Sequence, residues 1–162
     1  MFRRLLPLLF VGSLVSCGGS NPTTPTPLNI PFSTTDLIVG TGTTVASGMA
    51  VQFTYVGYLY STTAADHKGT QFATSSVSGP LVAQLGQNPP QLIAGLEQGL
   101  IGMKVGGRRQ IVVPPEMGYG TTGAPQAGIP GNATLLFIID LEQAATVTSS
   151  RVPTSSGLPP PR

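Results

Sequence analysis

Gln91-Leu92-Ile93-Ala94-Gly95-Leu96-Glu97-Gln98-Gly99-Leu100 is the one stretch of this chain with helical periodicity. Leu92, Ile93, Leu96 and Leu100 recur at the three- and four-residue spacing of a single helix face. Pro89-Pro90 stand just ahead of them, and proline suits a first helical turn because its missing N–H has no partner there anyway. Gly95 and Gly99 each cost roughly 1 kcal/mol against alanine inside a helix. Packing must therefore hold this segment together, and close approach to a sheet is the natural reason for small residues on it.

On either side of the helix the pattern has period two. In Met49–Tyr60, Val51, Phe53 and Tyr55 fall on one face while Gln52 and Thr54 fall on the other. Residues 133–141 place Leu135, Phe137, Ile139 and Leu141 on one side, with Leu136 and Ile138 making the other side apolar too, as expected of a central strand. Shorter strands are expected at 37–39, 70–74, 81–85 and 108–113, each bounded by turn residues. One short helix among many strands is an α+β arrangement, with a curved antiparallel sheet wrapped on the helix.

Composition narrows the chemistry. The 162 residues include eight Lys/Arg and six Asp/Glu against 21 Gly and 16 Pro. One domain fits this length. A single cysteine and a single histidine exclude an internal disulfide framework and a four-ligand Cys/His zinc site. No metal or cofactor is expected. A basic stripe that could neutralise a phosphate backbone is absent, so nucleic acid is excluded as a partner, and Arg108-Arg109 reads as a charged strand start. No Gly-x-Ser-x-Gly elbow supports nucleophilic hydrolysis. Asp140 and Glu142 share a strand face near its end, without the cleft a paired-carboxylate hydrolase needs. His67, in the polar loop 61–69, has only Asp66 beside it and is expected to be a solvated loop residue; Glu97 is expected to accept a structural hydrogen bond or face solvent.

The termini read as targeting and spacer. Residues 1–16 combine a basic start, an apolar run too short to span a bilayer, and small residues before a cleavage point. Leu14-Val15-Ser16-Cys17 resembles the bacterial lipobox, which implies a signal peptide over 1–16 and acylation of Cys17. Residues 17–35 then form a Pro/Thr-rich tether, 36–145 the folded domain, and 146–162 a flexible Pro/Ser-rich tail. The expected location is the bacterial cell envelope, lipid-anchored and facing the periplasm or exterior, with the leaflet left open.

Several motifs inside the domain come in the order and spacing of one family: Thr54-Tyr55-Val56-Gly57, Phe72-Ala73-Thr74-Ser75, the helix stretch from Gln91, Met103-Lys104-Val105-Gly106-Gly107, Val113-Pro114-Pro115, Gly118-Tyr119-Gly120 and Ile129-Pro130-Gly131-Asn132-Ala133-Thr134-Leu135. Together they resemble the FKBP-type peptidyl-prolyl cis-trans isomerases over about two thirds of the chain. The resemblance implies a twisted antiparallel β half-barrel around one short α-helix, with an apolar proline-binding pocket between them. By position, the substrate-binding residues are Tyr55, Phe72, Leu81, Leu92, Ile93, Leu96, Tyr119, Ile129 and Phe137, and the catalytic ones Tyr119, Tyr55 and Phe137. In this family the backbone N–H matching Ile93 meets the ligand carbonyl, and the Tyr119 hydroxyl would serve the carbonyl of the X–Pro segment.

Departures from the family pattern are equally legible. Ala73 stands where an aspartate is typical, which removes a polar partner for the pocket tyrosines. Leu96 replaces a tryptophan on the pocket floor, so macrolide inhibitors should bind with reduced affinity, and Leu81 stands where an aromatic is common. Without the family, Tyr55, Phe72 and Phe137 would simply be inward-facing core residues. Tyr119, in a Gly-Tyr-Gly turn, has less reason to be core.

The expected activity is peptidyl-prolyl isomerisation of proline-containing polypeptides among exported proteins, by a monomer. The alternative is a catalytically weak proline-binding chaperone on the same scaffold, motivated by Ala73 and Leu96. A tethered β-domain for another ligand such as a sugar is a third class, disfavoured by the lack of tryptophan.

Overall fold

The structure, a computed structural model, describes residues 29–147. The expected signal peptide, Cys17, most of the tether and nearly all of the tail lie outside the described residues. Six strands and one short helix follow one another as β1 (Ser33–Ile38), β2 (Met49–Tyr60), β3 (Lys68–Thr74), β4 (Leu81–Gln84), α1 (Ala94–Leu100), β5 (Arg108–Val113) and β6 (Leu135–Thr146). All strand pairs are antiparallel, in the order β1-β5-β6-β2-β3, with β4 also pairing β2. The α+β architecture expected from the sequence is therefore present.

β6 lies between β5 and β2, as expected of a central strand; Leu135, Phe137, Ile139 and Leu141 enter the core, and Leu136 on the opposite face is buried too. β2 alternates as its sequence requires, with Val51 and Phe53 in the core and Gln52 and Thr54 partly exposed. Opposite β6, the other edge of β2 is shared by two partners. Residues 50–53 pair with β4, and 56–60 pair with β3. Ser75 bridges the change of partner at Tyr55: its Oγ accepts the Tyr55 N–H at 2.8 Å, and its own N–H donates to the Tyr55 carbonyl at 2.9 Å.

The helix crosses β5, and the two glycines in it touch the sheet. A Cβ added at Gly95 would collide with the Val113 side chain, and one at Gly99 with Ile111. That contact is the packing reason the sequence demanded. Burial of Leu96 and Leu100 with Ile111, Val113, Leu135, Phe137 and Ile139 makes the core, where each large apolar side chain contributes about 1.5–3 kcal/mol.

Several boundaries differ from the sequence expectation. The helix begins at Ala94, not Gln91, because Ile93 is extended (φ −63°, ψ 148°) and acts as the N-cap, its carbonyl accepting from the Leu96 and Glu97 N–H groups. The prolines therefore precede the helix by several residues instead of opening it. β1 starts at Ser33, so residues 33–35, assigned to the tether, pair with Gln110–Val112 of β5. β6 runs on to Thr146 because Met49 and Ala50 continue the ladder.

Arg109 is the clearest departure. Although it sits at the start of β5, it is only 8% exposed. Its guanidinium forms a fork with both Asp36 carboxylate oxygens, at 2.6 and 3.1 Å, and donates to the Gly99 and Ile101 carbonyls at the helix C-terminus, at 2.9 and 3.2 Å. A cation there satisfies orphan carbonyls and opposes the negative end of the helix dipole. Arg108 does behave as a charged strand start, paired with Asp140 at 2.7 Å.

Candidate functional site

A groove of about 420 Å³ opens where β2, β3, β4, the start of α1, the Tyr119 loop and β6 converge. Tyr55, Phe72, Ala73, Leu81, Leu92, Ile93, Leu96, Tyr119 and Phe137 line it, joined by Pro90 and Gln91. Eight of the nine residues expected to bind substrate are thus brought together. Ile129 is not: it is 1% exposed and belongs to the core cluster. A backbone bridge between Ala124 and Ile129 closes the loop after Tyr119.

Aromatic packing builds the groove floor. The Tyr55 ring lies between Phe53 and Phe137, at centroid distances of 6.2 and 6.3 Å with tilted planes. Phe72 meets Phe137 edge to face, at 5.7 Å and 89°. That pair exists because residue 57 is glycine: a Cβ there would stand 2.7 Å from the Phe72 ring and 3.1 Å from the Phe137 ring. Leu96 and Phe137 are almost fully buried, whereas Leu81 and Tyr119 form exposed rims.

The Tyr119 loop is pinned by its own backbone. A 3-10 turn at Pro115–Met117 leads into it; the Gly120 N–H donates to the Pro115 carbonyl, the Gly123 N–H to the Tyr119 carbonyl, and the Asn132 N–H to the Gly120 carbonyl. Gly123, at φ +67°, lies so close to the Ile129 and Pro130 backbone that no side chain would fit.

Polar groups in the groove are few. Among the described residues, neither the Tyr55 nor the Tyr119 hydroxyl has an intramolecular hydrogen-bond partner, and neither does the Ile93 N–H. Ala73 contributes only a methyl group. No lining residue carries a charge. The arrangement can bind an apolar group on its aromatic floor and offer a few neutral donors to a carbonyl at its rim.

The other sequence candidates lie elsewhere. His67 is exposed, stacked on Tyr60 at 4.9 Å, with its Nδ1 3.1 Å from the Ser61 carbonyl. Glu97 accepts the Gly86 N–H, and Glu142 accepts from Gln52 Nε2. Two roles escaped the sequence reading: Gln91, whose side chain accepts the Gln84 N–H at 2.8 Å and holds the end of β4, and Ser75, which fixes Tyr55. Both stand within motifs quoted above, yet a hydrogen bond from side chain to backbone leaves no periodic signal.

Comparison with known proteins agrees with this geometry. A family model described as FKBP-type peptidyl-prolyl cis-trans isomerase matches residues 42–142. An FK506-binding protein of Streptomyces anulatus is 40% identical over 107 residues, which cover 65% of this chain and 80% of that one. FK506-binding protein 4 of Chaetomium thermophilum is also 40% identical, over 106 residues, but the match spans 65% of this chain and only 20% of that protein. Among solved structures, a peptidyl-prolyl cis-trans isomerase of Pseudomonas syringae pv. tomato superposes with a TM-score of 0.58 at 27% identity, covering 75% of this chain and 80% of that one.

Proposed function

Because the chain belongs to the FKBP-type peptidyl-prolyl cis-trans isomerases, we propose that its groove accelerates rotation about X–Pro bonds in exported polypeptides. The observation that carries this reading is the groove wall itself, aromatic and aliphatic apart from Gln91 and without a single charged side chain, with unpaired neutral donors at its rim.

Rotation about a prolyl bond breaks no covalent bond. Its barrier, about 18–20 kcal/mol, arises from amide resonance, which also makes the planar ground state more polar than the twisted one. Transfer into an apolar groove disfavours the planar form relative to the twisted form. The proline ring would rest on Phe137, Tyr55 and Phe72. The Tyr119 hydroxyl and the Ile93 N–H would donate to carbonyl oxygens of the bound segment and keep them oriented while the amide turns. Neither a nucleophile nor a general base is required.

Ala73 favours a second reading, a proline-binding chaperone with weak turnover, since nothing in the groove orients the two tyrosine hydroxyls through a carboxylate. Exchange rates of a short X–Pro peptide, measured by NMR with and without a small molar fraction of protein, separate the two. Acceleration that is lost in Tyr119→Ala and Phe137→Ala supports the isomerase. Saturable binding without acceleration would leave the chaperone reading and overturn the first.

Family members bind macrolides as well as proline-containing peptides. Here the smaller Leu96 offers less apolar contact than a tryptophan floor would, and reduced macrolide affinity is the expectation. The lipobox-like Leu14–Cys17 further supports acylation at Cys17, which would hold the protein at a bilayer of the cell envelope, facing the periplasm or exterior. Mass spectrometry of the mature N-terminus tests this: a diacylated or triacylated Cys17 is expected, and an intact Met1 would overturn it.

A further inference from the structure

Beside the groove, β4 presents an unpaired backbone edge. Its inner edge pairs with β2, and the Leu85 N–H donates to the Met49 carbonyl. Because backbone groups alternate in direction along a strand, the N–H groups of Leu81 and Ala83 also face β2, whereas those of Val82 and Gln84 face away. The Gln84 N–H confirms the register, since its partner is the Gln91 side chain on the far side. Among the described residues, the outward N–H and carbonyl of Val82 have no partner, and Val82 is 65% exposed.

Exposed strand edges are ordinarily blunted by charge, bulges or covering segments. β4 is short, four residues, and Gln91 occupies its outward Gln84 N–H, but it carries neither charge nor bulge, and Val82 is left as the open position. Residues 69–96 contain no Asp, Glu, Lys, Arg or His, and the ladder between β2 and β4 runs without a register shift. Exposed apolar side chains accompany the edge: Val82 itself, Leu81 at 37% and, in the preceding loop, Val77 at 90%. Leu81 belongs both to β4 and to the groove wall, and Gln91 both to the groove and to the outer flank of β4. The open edge is thus continuous with the groove.

We propose that the Val82 edge of β4 is an extended docking surface for the uncharged polypeptide flanking the proline in the groove. The flanking segment adds as a short strand, its backbone exchanging two hydrogen bonds with Val82 while its apolar side chains meet Val82 and Val77. The partner is an extended, unfolded chain with few charges around its proline. This inference rests on the groove being the proline site, and it predicts that length of substrate, not only the X–Pro pair, sets affinity.

Val82→Pro tests it with little risk to the fold, because an outward-facing N–H on an edge strand is where proline is tolerated. The measurement compares kcat/KM for a tetrapeptide containing X–Pro with that for a ten-residue uncharged peptide containing the same pair. In the unaltered full chain, the longer peptide is expected to be favoured by about tenfold, the equivalent of two modest hydrogen bonds. Val82→Pro should abolish that advantage while leaving the tetrapeptide unchanged, and Val82→Ala, which keeps the N–H, should retain most of it. A ten-residue peptide with one flanking amide replaced by an ester should lose affinity for the unaltered protein, which covers the case of a misfolded variant. Equal rates for both peptides in the unaltered protein, or an advantage that survives Val82→Pro, would overturn the proposal. If neither peptide is turned over, the isomerase reading fails by itself, and the same length ratio read from binding titrations still decides the edge.

Discussion

Arg109 and Asp36, 73 residues apart, face each other across the β1–β5 pair with two parallel N–H to O contacts of 2.6 and 3.1 Å. The same guanidinium reaches the last turn of the helix. One side chain therefore ties the edge strand, the sheet and the helix that carries Leu96.

Acid should loosen this tie. The Arg109 hydrogen bond to Asp36 holds its carboxyl below the usual carboxylate range, an effect that desolvation only partly opposes. A carboxyl whose folded pKa is depressed contributes stability that is present above the unfolded value, near 3.9, and is lost as pH falls through the folded value. Melting curves between pH 7 and pH 2 should show this loss in the native protein. Asp36→Asn should be less stable by about 1.5–3 kcal/mol at neutral pH, because it leaves the nearly buried guanidinium without its anion, and its melting temperature should depend less on pH below 4.

Gly99→Ala tests the closeness of helix and sheet. Propensity alone would favour alanine by roughly 1 kcal/mol. The added Cβ, however, collides with the Ile111 side chain deep in the core. Net destabilisation of about 1–3 kcal/mol is expected from such overpacking. Denaturant titration that found the variant as stable as the parent would show that the helix can lift off β5 freely.

Gly57→Ala should damage the groove more than the fold. Its methyl group would stand 2.7 Å from the half-buried Phe72 ring and 3.1 Å from the buried Phe137 ring, and the half-buried Phe72 is the ring that can give way. A kcat/KM lower by about tenfold, or roughly 1.4 kcal/mol of lost transition-state stabilisation, is expected, with a melting temperature only a few degrees lower. Unchanged activity would mean that the Phe72–Phe137 contact does not shape the substrate site.

Tyr119→Phe isolates one hydroxyl. Tyr119 is 40% exposed and its hydroxyl has no hydrogen-bond partner among the described residues, so stability should not change. A hydrogen bond worth about 1 kcal/mol in the transition state corresponds to a five- to tenfold fall in kcat/KM. Identical kinetics in the two proteins would remove Tyr119 from the mechanism.

How far these residues could be read from the sequence depended on the range of the interaction involved. Period-two and helical patterns located β2, most of β6 and the helix, because side-chain alternation is local and survives in the linear order of residues, whereas the expectation for β1 met it only at Leu37 and Ile38 and that for β6 stopped five residues short. Even the purpose of Gly95 and Gly99 was legible, since two costly residues on an apolar helix face imply a close neighbour. The family resemblance, not any pattern in the residues themselves, picked out the eight groove residues from Tyr55 to Phe137.

Other features depend on which strands become neighbours. Arg109 looked like one half of an exposed basic pair, and only the docking of β1 on β5 brought Asp36 to it and left it nearly buried. Ile129, expected in the groove wall, does not line it and is buried in the same core cluster as the groove residues Leu96 and Phe137. Likewise, no local pattern says that β2 divides one edge between β3 and β4 and thereby leaves the outer edge of Val82 open. Alternation records which face of a strand is apolar; it carries nothing about the partner across the ladder, which is chosen by contacts between residues far apart in the chain.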